Sequence, residues 1–208
     1  RNLVAIPDGV PTEKAALAEP IACGWHAVRL GAERLERPLG EARCLVFGGG
    51  AIGLGAALVL LARGAGEVHL AEPNPARRAI AAQAGDLRAL DPGKGLPEGV
   101  DLVVDGVGIE ATRAAASAAV RPGGVIMHVG LGSGAGGLDV RRMTLQEITF
   151  TGTYTYTARD FHDTAQAIFA GRLGALDWPE IRPLAEGAAA FADIGAGRVA
   201  APKIILTP

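Results

Sequence analysis

Cysteine is nearly absent from this chain, whose 208 residues hold only Cys23 and Cys44. Two cysteines cannot build a four-cysteine zinc site, and neither a CxxC nor an HxxxH spacing occurs anywhere. Both thiols suit the role of small buried hydrophobes in a reducing cytoplasm better than that of a disulfide. Net charge is almost absent too. Twenty Lys and Arg stand against 22 Asp and Glu, a formal charge of −2, which leaves no basic footprint for nucleic acid. Long apolar runs are also missing. The most apolar stretch, Ala51 to Ala62, spans about a dozen residues and fits a core helix packed on a sheet, not a membrane span. Asparagine occurs only at Asn2 and Asn74 and Arg far outnumbers Lys, a bias that a GC-rich genome and a hot habitat would both produce. At this length there is room for one domain plus flanking pieces. The chain opens at Arg1 and enters LVAIPDGV with no signal-like segment, as a part of a longer protein would.

Against these absences stands the stretch from Arg43 to Glu72, RCLVFGGGAIGLGAALVLLARGAGEVHLAE. Cys44 to Phe47 is a short apolar run that suits a strand buried on both faces, and Gly48, Gly50 and Gly53 then supply GxGxxG where strand turns into helix. The first glycine permits the tight turn, the second lets the backbone approach a pyrophosphate, and the third lets helix and strand pack closely. A helix from about Ala51 to Arg63 then aims its free N–H groups at the phosphates. A second strand, Val68 to Ala71, ends at Glu72, where such a fold places the carboxylate that holds a ribose 2′-hydroxyl. The alternative is that Glu72 caps a solvated turn before Pro73. A carboxylate accepts from two hydroxyls but repels a 2′-phosphate, so the expected cofactor is NAD and not NADP.

The remaining chain repeats the alternation. Leu3 to Ile6 reads as a short strand, Thr12 starts a helical region and another helix follows Pro20. A helix from about Ala76 to Ala84 leads to a weak third strand, Leu87 to Leu90. The DPGKGLPEGV segment after it is too rich in Pro and Gly for a crossover helix, so a loop must join the strands there. Asp101 to Asp105 is a fourth strand, Glu110 to Val120 a helix, and Val125 to Val129 a fifth strand that opens into GLGSGAGG. Gln146 to Thr153 reads as a sixth strand of alternating character. This βα order predicts an α/β fold, a doubly wound parallel sheet of the Rossmann type, with ligands at the carboxyl ends of its strands. Gly106, Gly108, Gly130 and Gly132 lie just beyond such ends, and Val107 between the first two counts among the cofactor-binding residues. A helix from about Asp160 to Ala170 and a last strand, Lys203 to Leu206, fall outside the repeat.

The fingerprint, PDGV followed by AALAEPIACGWHAV, the VGLGS loop and the closing KIIL, in this order, resemble the zinc-type medium-chain dehydrogenase/reductase family, and within it the sorbitol-like polyol dehydrogenases. The resemblance spans nearly the whole chain. It implies that residues 20–155 form an NAD-binding Rossmann domain, whereas residues 1–19 and 156–208 belong to an incomplete GroES-like catalytic domain. It places the backbone of Ile52 on the pyrophosphate, Glu72 on the adenosine ribose and Arg77 beside the adenine end. Val129, Gly130 and Leu131 would line the nicotinamide pocket, and Thr153, Tyr154 and Thr155 would close it. Glu19 resembles the glutamate near catalytic zinc that contacts metal-bound water or substrate, against the alternative of a helix-end carboxylate. Thr155 departs from the pattern, since polyol enzymes often carry a substrate-holding arginine there. The cysteine, the GHE segment and the four-cysteine lobe that hold zinc in the family are not in this sequence. Zinc is therefore expected in a full-length parent and not in this chain. The histidines do not fill the gap, because His26, His69, His128 and His162 read as packed or solvated residues of helices and strands.

The leading expectation is the cofactor-binding part of an NAD-dependent alcohol or polyol dehydrogenase, cytoplasmic and homo-oligomeric, with the edge strand around Gln146 to Thr153 pairing between subunits to cover Ile148 and Phe150. The alternative is a non-catalytic NAD-binding regulatory module. A short-chain dehydrogenase fits less well, because neither Tyr154 nor Tyr156 has a lysine four positions on. A methyltransferase leaves the EP segment and the closing strand without a role.

Overall fold

The computed structural model of the protein describes residues 3–208. Six strands, β1 (Arg43–Phe47), β2 (Glu67–Ala71), β3 (Arg88–Leu90), β4 (Val100–Asp105), β5 (Val120–His128) and β6 (Thr149–Gly152), form one parallel sheet in the order β3-β2-β1-β4-β5-β6. This is the doubly wound order, with its switch point between β1 and β4. Alternate strand residues feed two cores. Cys44, Val46, Leu102, Val104 and Met127 face one side, and Leu45, Phe47, Val103 and Ile126 face the other.

Helices α2 (Ala18–Ala32), α3 (Ala51–Ala62) and α4 (Pro75–Ala84) contribute to the first core, and α5 (Glu110–Ala119) covers the second. Every residue of α3 from Gly53 to Leu60 is buried, as expected of a helix that is apolar all round. Close approach makes this possible. A Cβ on Gly24 of α2 would lie 2.7 Å from the Ala56 backbone nitrogen, so the two helices touch backbone to backbone. Asn74 caps α4 by accepting from the N–H groups of Ala76 and Arg77, with Pro75 at the first helical position. Between β3 and β4 the crossover holds only a 3₁₀ turn, Pro92–Lys94, and Leu96 packs into the second core in place of a helix.

Several expectations are corrected. Leu3 to Ile6 is not a strand: no neighbouring strand pairs with it, Leu3 is 92 % exposed, and only Val4 of the segment joins the main core. The sixth strand is shorter than its alternating pattern, because Gln146 closes helix α6 (Val140–Leu145) and Glu147 takes a positive φ of 52° before pairing begins. Ile148 is 8 % exposed and lies in the chain's own second core, with Phe150 packed against it, so neither needs a partner to cover it. Beyond helix α7 (Ala158–Phe169) lie two elements with no earlier expectation, β7 (Glu180–Pro183) and helix α8 (Gly187–Gly195). The last strand, β8 (Ile204–Thr207), pairs in parallel with β7 as a separate two-stranded sheet. The short helix α1 (Thr12–Ala15) packs near α7. Among the described residues no helix is long and apolar enough to cross a membrane.

Helix α7 is tied to α2 by one fully buried carboxylate. Asp160 accepts from Arg29 Nε at 2.7 Å, Arg29 Nη2 at 3.2 Å and Thr157 Oγ1 at 2.6 Å, and lies 2.8 Å from His26 Nδ1. Burial alone would push its carboxyl up, but the hydrogen bonds from Arg29, Thr157 and His26 outweigh it and hold the group well below the usual carboxylate range. Asp160→Asn is expected to cost roughly 1.5 to 3 kcal/mol, read as a lower Tm. The folded carboxyl titrates below its unfolded value of about 3.9, so the ionised clamp stabilises the fold above that pH and its contribution fades below it. Acid unfolding followed by circular dichroism should show the wild type losing its advantage over Asp160→Asn below about pH 4. A gap that stays constant down to low pH would rule the ionised clamp out.

Candidate functional site

The carboxyl ends of β1, β2 and β4 surround a cleft of about 610 Å³, lined by Gly48, Gly50, Ile52, Gly53, Glu72, Arg77 and Val107 among others. The glycine turn builds one wall. Gly48 has φ +95°, open to glycine and strained for other residues, and a Cβ on Gly53 would lie 1.9 Å from the Gly48 carbonyl oxygen. Gly50 is different: a Cβ there would meet nothing within 4 Å. The first helical bond of α3 runs from Leu54 N–H to Gly50 O at 2.9 Å, and no side chain caps this end. The N–H groups of Ala51, Ile52 and Gly53 thus lack helical partners at the cleft, an arrangement suited to an anion.

Glu72 lies against the glycine turn and is 5 % exposed. Its Oε2 accepts from Gly49 N–H at 2.7 Å, and its Oε1 accepts from Asn74 N–H at 2.8 Å. The carboxylate thus caps the turn through Pro73, yet it is buried and also tied to the glycine turn. It is fixed at the base of the cleft by one bond per oxygen, and a carboxylate has about four acceptor positions, which leaves capacity for hydroxyls. Arg77 lines the same cleft with its stem, but its guanidinium donates to Val199 O at 3.0 Å and Ala200 O at 3.3 Å. The chain just before β8 is thereby held against α4, a link for which no local sequence signal exists.

At the carboxyl end of β4, Asp105 is fully buried. Its Oδ1 accepts from Val107 N–H at 3.0 Å and Gly108 N–H at 2.9 Å, and its Oδ2 accepts from Thr112 Oγ1 at 2.9 Å. This carboxylate shapes the loop that carries Val107 and was missed by motif reading, although an acid closing an apolar strand is a visible signal. Val129 and Gly130 donate to Asp105 O, which brings the end of β5 beside the same loop. Leu131 is 84 % exposed and Tyr154 79 %, Thr155 takes φ +52°, and Thr153 N–H donates to His128 O at 2.9 Å.

Glu19 lies in the first turn of α2, exposed, with Tyr156 Oη 3.4 Å from its Oε1 and the Cys23 thiol nearby. Burial, and then the Glu19 charge, push that thiol up to about 11, so it stays neutral. Each histidine sits beside a carboxylate: His26 by Asp160, His69 by Glu67, His128 by Asp105 and His162 by Asp163. Among the described residues no three His, Cys, Asp or Glu side chains converge as a metal site. The donor set around Glu19 therefore does not fit a catalytic zinc, which needs three protein ligands.

The glycine turn makes a test of the cleft. Gly53→Ala should cost about 1 to 3 kcal/mol by overpacking, whereas Gly50→Ala, whose methyl would enter open space, should stay within about 0.5 kcal/mol of the wild type. Thermal melts that fail to separate the two variants would contradict the geometry.

A family model described as zinc-binding dehydrogenase matches residues 51–170. Sorbitol dehydrogenase of Macaca fascicularis is 33% identical over 163 residues, 73% of this chain and 44% of that protein. A 2-dehydro-3-deoxy-L-galactonate 5-dehydrogenase of Pseudoalteromonas atlantica is 31% identical over 206 residues, 94% of this chain and 56% of that protein. The chain thus spans about half the length of the curated relatives it matches. Acetophenone reductase of Geotrichum candidum, solved in complex with NAD, shares the fold with a TM-score of 0.85 at 22% identity, over 99% of this chain and 58% of that one. With more than half of its residues inside the family model, and relatives above 30% identity along most of its length, this chain belongs to the zinc-binding dehydrogenase family.

Proposed function

We propose that this chain is the NAD-binding part of an alcohol or polyol dehydrogenase that transfers hydride between a CH–OH group and the nicotinamide. The observation that carries this reading is Glu72, a buried carboxylate held by Gly49 N–H and Asn74 N–H beside the glycine turn that leads into an uncapped helix end. The glycine turn and α3 would take the pyrophosphate, Glu72 the adenosine ribose, and Arg77 the adenine side. Bound NAD supplies the hydride acceptor, and Val107, Val129, Gly130 and Leu131 with Thr153, Tyr154 and Thr155 would shape the space around its nicotinamide. The names of the relatives, a sorbitol dehydrogenase and a galactonate-series dehydrogenase, support an alcohol or polyol substrate. We assign the flanking segments, residues 1–19 and 156–208, to the catalytic domain, with the zinc ligands supplied elsewhere in the full-length protein. The open edge of β6 supports pairing of copies into a homodimer or larger assembly. Both cysteines are free, which supports a reducing, cytoplasmic setting.

Calorimetry tests the cofactor assignment. NAD(H) should bind more tightly than NADP(H) by about ten- to a hundredfold, the value of one charge-assisted hydrogen bond of roughly 1.5 to 3 kcal/mol. Glu72→Ala should narrow that gap. Equal or tighter NADP binding by the wild type would reject the assignment. In the full-length enzyme, Glu19→Gln should lower turnover by more than it weakens NAD binding, because Glu19 lies away from the residues that line the cleft. Kinetics and titration that fall together would make Glu19 a helix-end carboxylate and nothing more.

A further inference from the structure

Arg113, in the first half of α5, is 5 % exposed, yet among the described residues no carboxylate pairs with it. Its charge is met by oxygen dipoles instead. Nε donates to Gly136 O at 2.6 Å, Nη1 to Gly108 O and Ser133 O at 3.0 Å each, and Nη2 to Ser133 Oγ at 3.1 Å and to Ala135 O. A guanidinium has five N–H groups, and all five are used. None remains for a ligand. Four of the acceptors lie in the loop after β5 and the fifth, Gly108 O, in the loop after β4, so the fork joins the loop that lines the cleft through Gly106 and Val107 to the loop that lines a neighbouring cavity through Gly130, Leu131 and Ser133.

The two loops meet through their backbones. Gly132 N–H donates to Val107 O at 3.1 Å and Ser133 N–H to Gly108 O at 2.8 Å. A Cβ on Gly130 would lie 2.1 Å from the Val107 carbonyl carbon. Little else orders the second loop. It reads GLGSGAGG from Gly130 to Gly137, glycine loses more freedom on folding than any other residue, and the loop's one large apolar residue, Leu131, is 84 % exposed. A packed apolar side chain at position 113 would complete α5 without burying a charge. Only a planar fork reaches four carbonyls and a hydroxyl at once.

We propose that Arg113 is the positioning residue for the nicotinamide end of the cofactor site, acting through the Gly130–Gly137 loop that it holds against Val107 and Gly108. This role rests on the dinucleotide reading of the cleft. When the fork is lost, the loop occupies its cofactor-competent form for only part of the time, and the apparent Kd rises in inverse proportion to that fraction. The adenosine half, built on Gly48–Gly53 and Glu72, makes no contact with Arg113 and should not respond.

The experiment is calorimetry on the full-length protein with two probes, NADH and ADP-ribose, which lacks the nicotinamide. Arg113→Met should weaken NADH by about tenfold or more, as for a loop competent about one-tenth of the time, and leave ADP-ribose within about twofold. Hydrogen exchange read in parallel should quicken at Gly132 and Ser133 and not in β1 or β4. Arg113→Lys, which keeps the charge but not the fork, should show the same selective loss to a smaller degree, and serves alone should the Met variant not fold. Equal weakening of both probes would make Arg113 a merely structural residue, and unchanged NADH binding would remove the role altogether. Wild-type protein that binds neither probe would overturn the dinucleotide reading, and this role with it.

Discussion

The contact between Gly53 and the Gly48 carbonyl leaves no room for a side chain, and it sets the angle at which α3 leaves β1. Because α3 starts that close to the strand, its unpartnered N–H groups lie at the carboxyl edge of the sheet and not out in solvent. The buried length of α3 then serves as the surface on which α2 packs, and α2 in turn carries Arg29 and His26 to the Asp160 clamp. Failure at the turn would therefore reach the cleft, the first core and the attachment of α7 together.

Apart from Asp160 between α2 and α7, the buried carboxylates divide between the two ends of the sheet. At the amino end of β4, Asp101 accepts from Arg43 N–H at 2.9 Å and Arg121 Nε at 2.6 Å, bracing β1 and β5 on either side of it. At the carboxyl end, Glu72 and Asp105 accept mainly from backbone N–H groups of the glycine turn and of the β4 loop. The first arrangement consumes its charge in ion pairs. The second shapes loops and leaves open space between them, which is the condition for taking up a ligand. Arg113 completes the pattern with opposite sign, a buried cation satisfied by loop oxygens.

The strands were legible wherever a partner on each side made their burial complete. Cys44 to Phe47 reads as an unbroken apolar run, and Val68 to Ala71 and Asp101 to Asp105 as mainly apolar ones broken by His69 and closed by Asp105, because both sheet faces are covered. Leu3 to Ile6 has the same local character and no neighbouring strand, so the composition that makes a strand elsewhere leaves irregular chain here. The first two polar residues of the Gln146 to Thr153 pattern belong to the end of α6 and a positive-φ turn at Glu147, which prolong the apparent strand beyond the true alternation of Thr149 to Gly152. Of the site, the glycines and Glu72 were visible through their spacing. Asp105 showed only as an acid closing a strand, and Arg113 not at all, because its acceptors lie mostly in a loop some twenty residues away that the fold brings near.

The sequence by itself determined the βα alternation, the glycine turn and the acid at the end of β2, since each depends on residue type at short separation. Only the tertiary structure decided that Glu72 is held by Gly49 and Asn74, that Arg77 turns to Val199 and Ala200, and that Asp160 joins two helices more than a hundred residues apart in the chain. Such contacts link residues with no periodic relation. They exist because buried charges must find partners once the apolar faces have closed, and which partners lie within reach is set by the packing of strands and helices.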